Sequence, residues 1–592
     1  MTKVAKVAKV PDGADVNLSD EQRAARDCDD QYVVVLASAG SGKTEVVAQR
    51  VERILTGGTG FRVIALSYTR RAAAELRDRF ASRLDEEHRR VETDTLHGFA
   101  QGLLLQYGTW IDLPAEPIIV VDDADRVELL QEWRSSMGMP LLDDPKEQLA
   151  RLDLARARGE DDPIAEDWDT ALTEAGALDY EAMLARAKEL LDVPAVARLV
   201  ARVFRHVIVD EAQNLTASQY EFLKQLFLAG RDVSHVMLVG DDKQSIVGFA
   251  GASPQYLHEF ERDFSATVFR LTQNFRSAAD IVTLGDRIAA ALGDPPSTSE
   301  NYAARGSVGR MNYTDERAEA IGISEWVSHL LADGLPSAAL APGEDPTIRA
   351  EDIAVLGRTA SSLRASQAAL ESAGHTVAVA THADDWLGSD VARSAWLLAT
   401  FRPDSAVSRR RIQRELSVDA GSRDSARDSL SGSHAEELRE FAAPLSPQEF
   451  VIQIETLDVH DDEFWARDQA EILSVWKNFC DRAPQTDRSW PQFELFVARW
   501  QRGDGQGVGV RLHTVHKAQG REYKAVAVIG LNDGQFPDFR ARTAKDLEAE
   551  LRAFYVAVTR PSRALLLTRP ERIQTRNGPW ARPASRFLEY VG

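Results

Sequence analysis

The stretch ASAGSGKT, Ala37 to Thr44, follows an apolar, β-branched run, YVVVL (Tyr32 to Leu36), and opens a segment in which Val47, Val51, Ile54 and Leu55 recur at helical spacing. Strand, glycine loop and helix in that order make a phosphate-binding loop. Its glycines let backbone N–H groups turn inward onto phosphate oxygens, and the helix N-terminus adds a partial positive charge. Ala39, Gly40, Ser41 and Gly42 are therefore expected to cradle a nucleoside triphosphate. Lys43 is expected to reach its β- and γ-phosphates, and the Thr44 hydroxyl to ligate Mg²⁺. The loop opens on Ala37 in place of glycine, which the backbone tolerates if Gly40 and Gly42 supply the tight turn. Just upstream, in LSDEQRAA (Leu18 to Ala25), the Gln22 amide is placed to pair with N6 and N7 of adenine.

At 592 residues the chain is long enough for several domains, at ~100–200 residues each. No apolar run approaches the ~18–20 residues of a membrane span, and the N-terminus lacks a signal-peptide core. Two cysteines, Cys28 and Cys480, are too few for a zinc site or a disulfide framework and point to a reducing, cytoplasmic setting. The net charge of −22 argues only weakly against a nucleic-acid partner, because a local basic track matters more than the sum. The acidic runs at Asp122, Asp123 and Asp125, at Glu160 to Asp162, and at Asp461 to Glu463 read as solvated outer faces.

Residues 1–16 lack a lasting apolar period and are expected to be a disordered tail. A second strand, Arg62 to Leu66, ends in Tyr68, Thr69, Arg70 and Arg71, a stacking ring, a hydroxyl and two cations that suit single-stranded nucleic acid. His97 sits at another strand-to-helix junction. Residues 101–200 read as a helical insertion, after which the strand His206 to Val209 delivers Asp210 and Glu211. Asp210 is placed to hold Mg²⁺ through water and Glu211 to take a proton from the attacking water. The strand His235 to Val239 leads into GDDKQSIVGFAGA, where Gln244 is placed to sense a γ-phosphate and Phe249 to meet a base. Further strands are expected at 353–356, 375–380, 510–514, 525–531 and 564–568. Within the helical stretch 403–506, the low-complexity segment Gly421 to His434 reads as a mobile loop.

Taken in order, LSDEQ, ASAGSGKT, SYTRRAAAE, TLHGF, VDEAQNL, VGDDKQSIVGF, QNFRS, TVHKAQGRE, DGQFPD and YVAVTRP closely resemble the motifs of superfamily 1 DNA helicases of the UvrD/Rep/PcrA type, from Leu18 to Pro561. The resemblance implies an α/β fold of two RecA-like P-loop motor domains with parallel sheets, each interrupted by a mostly helical insertion, with ATP between the motors. The division expected is 17–100 and 201–275 for the first motor, 276–402 and 507–592 for the second, with insertions at 101–200 and 403–506. By matching positions, Arg276 and Arg560 would neutralise charge on the transferring phosphoryl group, Glu522 would meet the ribose, and Gln244 would couple the γ-phosphate to the nucleic-acid side. Tyr68, Thr69, His97, Phe249, Thr514 and His516 would line the single-strand groove. The cofactors implied are ATP and Mg²⁺, and the partners single-stranded and tailed duplex DNA.

The sequence departs from the family's usual pattern in three places. Val247 and Ala250 stand where an aromatic residue and an arginine usually flank Phe249, which implies a weaker grip at ~1–3 kcal/mol per stacked base. Gln519 stands where lysine is usual, and HKAQG leans toward the 5′-to-3′ branch, whereas QNFRS, DGQFPD and the two-insertion layout favour 3′-to-5′ movement. The second insertion is short for the family, and the stretch after Arg560 leaves no room for an appended nuclease domain. Two functions follow: a 3′-to-5′ DNA translocase and helicase, or a regulatory DNA-sensing ATPase that controls a separate nuclease subunit. The second is suggested by a fainter similarity to the compact subunit of Gabija-type antiphage systems.

Overall fold

The computed structural model describes residues 18–591 except 58–59, 116, 230–233, 294–303, 380–388, 403–405, 417–421, 429–437, 440–445, 460–464, 481–487, 502–508 and 576–577. The expected N-terminal tail, residues 1–16, lies outside the described residues.

Along the chain the strands are β1 (Tyr32–Ala37), β2 (Arg62–Ser67), β3 (Val91–Thr95), β4 (Ile118–Ile119), β5 (Ala177–Leu178), β6 (Phe204–Asp210), β7 (His235–Gly240) and β8 (Thr267–Leu271). Six of them form a parallel sheet in the order β3-β2-β6-β7-β1-β8. Val33, Val34, Val35, Ile64, Ala65, Val209 and Val239 are all buried, as expected of strands covered by helices on both faces. β1 lies between β7 and β8, with β6 one strand further. The loops after β1, β6, β7 and β8 therefore open on one edge of the sheet, where ligands of open α/β sheets sit. Ala37 is the last residue of β1, buried and in register with Leu271, so the position needs no left-handed backbone and alanine fits.

The second sheet comprises β9 (Ser307–Asp315), β10 (Ile353–Gly357), β11 (Val377–Val379), β12 (Val510–Thr514), β13 (Tyr523–Val528), β14 (Pro561–Thr575) and β15 (Gly578–Ala581). Its order is β11-β12-β10-β13-β14-β15, with β9 also on β14, and every pairing but β14–β15 is parallel. The two sheets with their flanking helices are the two RecA-like motors. β13 ends before the 531 boundary read from sequence, and β14 runs well beyond 568, because β9 and β15 pair with its later part.

Each motor carries a helical layer with its own core. Trp168, Leu130, Leu149, Leu152 and Val120 pack in the first insertion, whose core runs from Val120 to Ala177. That is narrower than 101–200: the helices Leu96–Tyr107, Tyr180–Asp192 and Pro194–Val203 pack into the core of the first sheet instead. The second insertion gathers Val391, Phe401, Phe450, Ile472, Phe493 and Val497, and so begins earlier than 403. Of the stretch expected as a mobile loop, Arg423–Asp428 is a helix, and most of the rest lies outside the described residues.

The acidic run at 122–125 is not a solvated face throughout. Asp125 is 2% exposed and receives Arg411 and Arg414 of the second insertion, while Glu128 pairs with Arg414 and Glu132 with Arg410. A helix of each insertion thus presents complementary charge to the other, a contact between segments remote in sequence that local patterning does not reveal.

Glu319, on the helix Glu316–Asp333, is buried under the second sheet, where its Oε1 accepts from Thr568 Oγ1 (2.6 Å) and Gly530 N (3.1 Å). Burial pushes its carboxyl up from 4.5 to about 7. A folded value above the unfolded one means that the group favours folding below about pH 4.5 and that this is lost as pH rises through about 7. Glu319→Gln, which keeps the accepting oxygen without the charge, should raise the folding stability at pH 8, read as a higher thermal midpoint, by on the order of 3 kcal/mol. The advantage should vanish toward pH 4.5; a midpoint unchanged or lowered at pH 8 would contradict the account.

Candidate nucleotide cleft and nucleic-acid face

The phosphate loop is held open by its glycines and closed around by its neighbours. Gly40 and Gly42 have φ of 75° and 77°. A Cβ at Gly40 would stand 2.7 Å from the Asn274 side chain, and one at Gly42 2.6 Å from Gln22 Nε2. Asn274 Nδ2 donates to Ala39 O at 2.8 Å, and Phe275 N donates to Gly40 O at 2.8 Å. The QNFRS segment therefore clamps the loop from β8. Ser41 Oγ is buried without a hydrogen-bond partner, and Gly42 caps the helix Lys43–Thr56 with no side chain over its first N–H groups. That is the arrangement a bound anion completes.

Gln22 is buried in the turn opening the helix Asp20–Asp27. Its Oε1 accepts from Ser19 N at 2.9 Å, and its Nε2 donates to Ser41 O at 2.9 Å. The residue thus ties that helix to the phosphate loop, a role the sequence reading did not foresee.

β6 ends in Asp210, 5% exposed, whose Oδ1 accepts from Glu211 N at 2.9 Å. Burial, and then the neighbouring Glu211, push the Asp210 carboxyl well above the usual carboxylate range. Glu211 adopts φ 55°, which turns its side chain toward the loop, and Lys43 Nζ lies 3.8 Å from its Oε1. Two adjacent carboxyl groups facing one lysine at the end of β6 leave an excess of acid over base, the kind of charge a divalent cation offsets.

Gln213 links these acids to the next strand. Fully buried, it donates from Nε2 to Glu211 Oε2 at 2.7 Å and accepts at Oε1 from Asp241 N at 3.0 Å. A side chain at Gly240 would collide with that Oε1 at 2.7 Å. Asp241 in turn accepts from Gln244 Nε2 at 2.7 Å; although burial pushes its carboxyl up, Lys243 and Lys43 hold it below the usual range.

The second motor meets this edge directly. Arg560, 2% exposed, donates from Nη2 to Gln244 Oε1 at 2.5 Å, from Nη1 to Arg521 O at 3.1 Å and from Nε to Val556 O at 3.1 Å. Burial, and then the nearby Arg276, lower its guanidinium to about 10. Arg276 pairs with Glu522, so the cation expected at the phosphoryl group and the acid expected at the ribose hold each other. Gln519 Nε2 donates to Gln244 O at 2.9 Å and to Asn214 Oδ1 at 3.2 Å. Asn214, Gln213 and Asn274 had no assigned role in the sequence reading. Their signal was position alone, inside VDEAQNL and QNFRS.

The residues expected in a single-strand groove fall into smaller groups. Phe249 is 67% exposed and meets the half-buried His516 edge-on, with ring centroids 5.3 Å apart across the two motors. Burial, then Arg358, hold the His516 imidazole down at about 4, so it is neutral at physiological pH. Both rings line a cleft of about 1360 Å³ that also takes in Lys243, Arg358 and Arg540. Arg358, at the end of β10, was not anticipated; it is held by Glu550 through Nε and Nη2. Thr514 Oγ1 accepts from Lys517 N in the turn that carries His516. Thr69 caps the helix Arg70–Arg83 and is exposed, Tyr68 beside it is mostly enclosed, and Arg70 opens that helix. His97 stands against Tyr180 at 5.4 Å, at the foot of the first insertion.

Comparison with known families agrees with this architecture. Residues 18–265 match the UvrD/REP helicase N-terminal domain and residues 501–572 the UvrD-like helicase C-terminal domain. The chain is 25% identical to DNA helicase II of Escherichia coli, over 94% of this chain and 84% of that protein. It is 26% identical to the ATP-dependent DNA helicase UvrD1 of Mycobacterium bovis, over 97% and 85%. To UvrD2 of Mycobacterium tuberculosis it is 27% identical, over 97% and 81%. With both family domains matched in order and the two motors meeting at Gln244 and Arg560, the chain belongs to the UvrD/REP helicase family.

Proposed function

We propose that the protein is an ATP-dependent DNA translocase and helicase that moves 3′-to-5′ on single strand. The observation that carries this reading is the position of Gln244. Its amide lies between Asp241 and Arg560, while five residues on, in the same loop, Phe249 is exposed beside His516. A change at the phosphate edge therefore reaches the stacking surface through one short segment.

In this reading the loop Ala39 to Thr44 binds the phosphates of ATP, and Gln22 orders the loop and faces the adenine. Thr44 and Asp210 hold magnesium, which when bound polarises the phosphate oxygens. Glu211, held by Gln213, accepts the proton of the attacking water. Lys43, Arg276 and Arg560 neutralise charge on the phosphoryl group; Arg276 exchanges its partner Glu522 for phosphate, which frees Glu522 for the ribose. Closure of the second motor over the nucleotide brings these cations in, and opening after hydrolysis shifts the groove lined by Tyr68, Thr69, Arg70, His97, Phe249, Thr514 and His516. Among the described residues no helix is long and apolar enough to cross a membrane.

A second reading is a DNA-sensing ATPase subunit that governs a separate nuclease in repair or antiphage defence. It is favoured by the small side chains Val247 and Ala250 around Phe249, which offer one stacking ring where the family's usual pattern has more.

The two readings separate on duplexes with a 3′ tail, a 5′ tail or blunt ends, with ATP turnover and strand displacement measured together and Lys43→Ala as the inactive control. Displacement from the 3′ tail alone is expected. Displacement from the 5′ tail alone would overturn the polarity, and DNA-stimulated turnover without displacement would favour the regulatory reading. Glu211→Gln should keep nucleotide binding, read by a fluorescent analogue, while lowering turnover by at least ~10²; near-normal turnover would remove Glu211 from the base role. Arg560→Ala should lower turnover by roughly 10³ or more, with an ATP analogue still bound.

A further inference from the structure

Between Thr514, at the end of β12, and Tyr523, at the start of β13, the chain crosses the junction of the motors. His516 touches the Phe249 ring at one end of this strap. At the other, Arg521 O accepts from Arg560 and Glu522 pairs with Arg276. Gln519 lies between them.

A side-chain amide nitrogen carries two N–H groups, and in Gln519 it has two acceptors, Gln244 O at 2.9 Å and Asn214 Oδ1 at 3.2 Å. Both acceptor residues are buried in the first motor, Asn214 at 1% and Gln244 at 4% exposure. Gln244 is thereby gripped twice from the second motor, at its main chain by Gln519 and at its side chain by Arg560. Asn214 closes the turn that carries the base candidate, its N–H donating to Glu211 O at 3.0 Å. One side chain of the second motor thus holds both the turn of Glu211 and the loop of Gln244, and does so from a strap whose other end is on the nucleic-acid face. A neutral amide makes both bonds without adding a third cation to a junction where Arg276 already lowers the guanidinium of Arg560.

We propose that Gln519 is a positioning residue that transmits the seating of DNA at Phe249 and His516 to Glu211 and Gln244, and so sets how strongly DNA accelerates ATP turnover. The inference rests on the reading of the chain as a DNA-dependent ATPase. Bonds that exist only across the closed junction favour closure, and their loss should act on the rate of the closed state more than on the binding of either ligand.

The test is steady-state ATP turnover with and without a thymidine oligonucleotide, for the unmodified chain, Gln519→Ala and the isosteric Gln519→Glu. Glutamate keeps the shape but offers no donor to two oxygen acceptors. DNA-stimulated kcat should fall roughly tenfold in Gln519→Ala and further in Gln519→Glu. KM for ATP, the oligonucleotide Kd from fluorescence anisotropy and the thermal midpoint should stay near those of the unmodified chain. Asn214→Ala should give part of the same loss, and the double variant less than the product of the two. Unchanged stimulation in both Gln519 variants would overturn the inference and leave the functional reading standing. So would a parallel loss of kcat, Kd and thermal midpoint, which marks a merely structural role. An unmodified chain with ATP turnover but no DNA stimulation would overturn the functional reading and this inference together.

Discussion

A buried guanidinium needs acceptors, and that of Arg560 finds them on both sides of a domain junction. At 2% exposure it is held by Val556 O and Arg521 O within its own motor and by Gln244 Oε1 of the other. Removing a partner from a buried charge is far more costly than losing an exposed ion pair. Any separation of the motors must therefore give Arg560 another acceptor, and the oxygens of a phosphate or water entering the cleft are the natural substitutes. Arg276 and Glu522 also satisfy each other beside this junction, as an ion pair more open to solvent. The other motor and an anion in the cleft are thus alternative partners for the Arg560 guanidinium.

Inside the first motor the network is shorter and more rigid. Glu211, Gln213, Asp241 and Gln244 form a continuous line of hydrogen bonds between the ends of β6 and β7, with Gly240 kept small so that Gln213 can lie across it. Because every member of this line but Glu211 is nearly or fully buried, its groups have few alternatives to one another. A shift at Gln244 is therefore felt at Glu211. Beyond the exposed Phe249 the loop meets the first insertion closely: a Cβ at Gly251 would stand 2.5 Å from Ala157. The insertion is in this way packed against the loop that carries Gln244 and Phe249 as well as standing above the sheet.

The insertions also hold each other. Asp125, at 1% side-chain exposure, is reached by Arg411 and Arg414, with Glu128 and Glu132 paired to Arg414 and Arg410 around it. Partly exposed members of such a cluster contribute little singly, but Asp125 is enclosed and depends on its arginines. The contact ties the second insertion to the first, and so to the segment that Gly251 packs against.

Motif order and apolar periodicity were enough to read the phosphate loop, the strands carrying Asp210 and Gln244, and the helix behind them with Tyr220, Leu223, Leu226 and Phe227 on its buried face. Those features are local: a buried parallel strand must be a continuous apolar run, and a left-handed turn calls for glycine. β9 escaped notice because Ser307 to Asp315 is half exposed and shows no apolar run, its place in the sheet coming from pairing with β14. Asp125 looked solvated because its arginines lie almost 300 residues away. Sequence alone therefore determined the strand, glycine turn and helix around ASAGSGKT, since these residues need only their neighbours to adopt that form. Tertiary structure decided what surrounds it: that Gln22 ties its helix to the loop, that Asn274 clamps it, and that Gln519 and Arg560 grip Gln244 from the other motor. Hydrogen bonds across a junction depend on where separate segments come to rest, and no period along the chain records that.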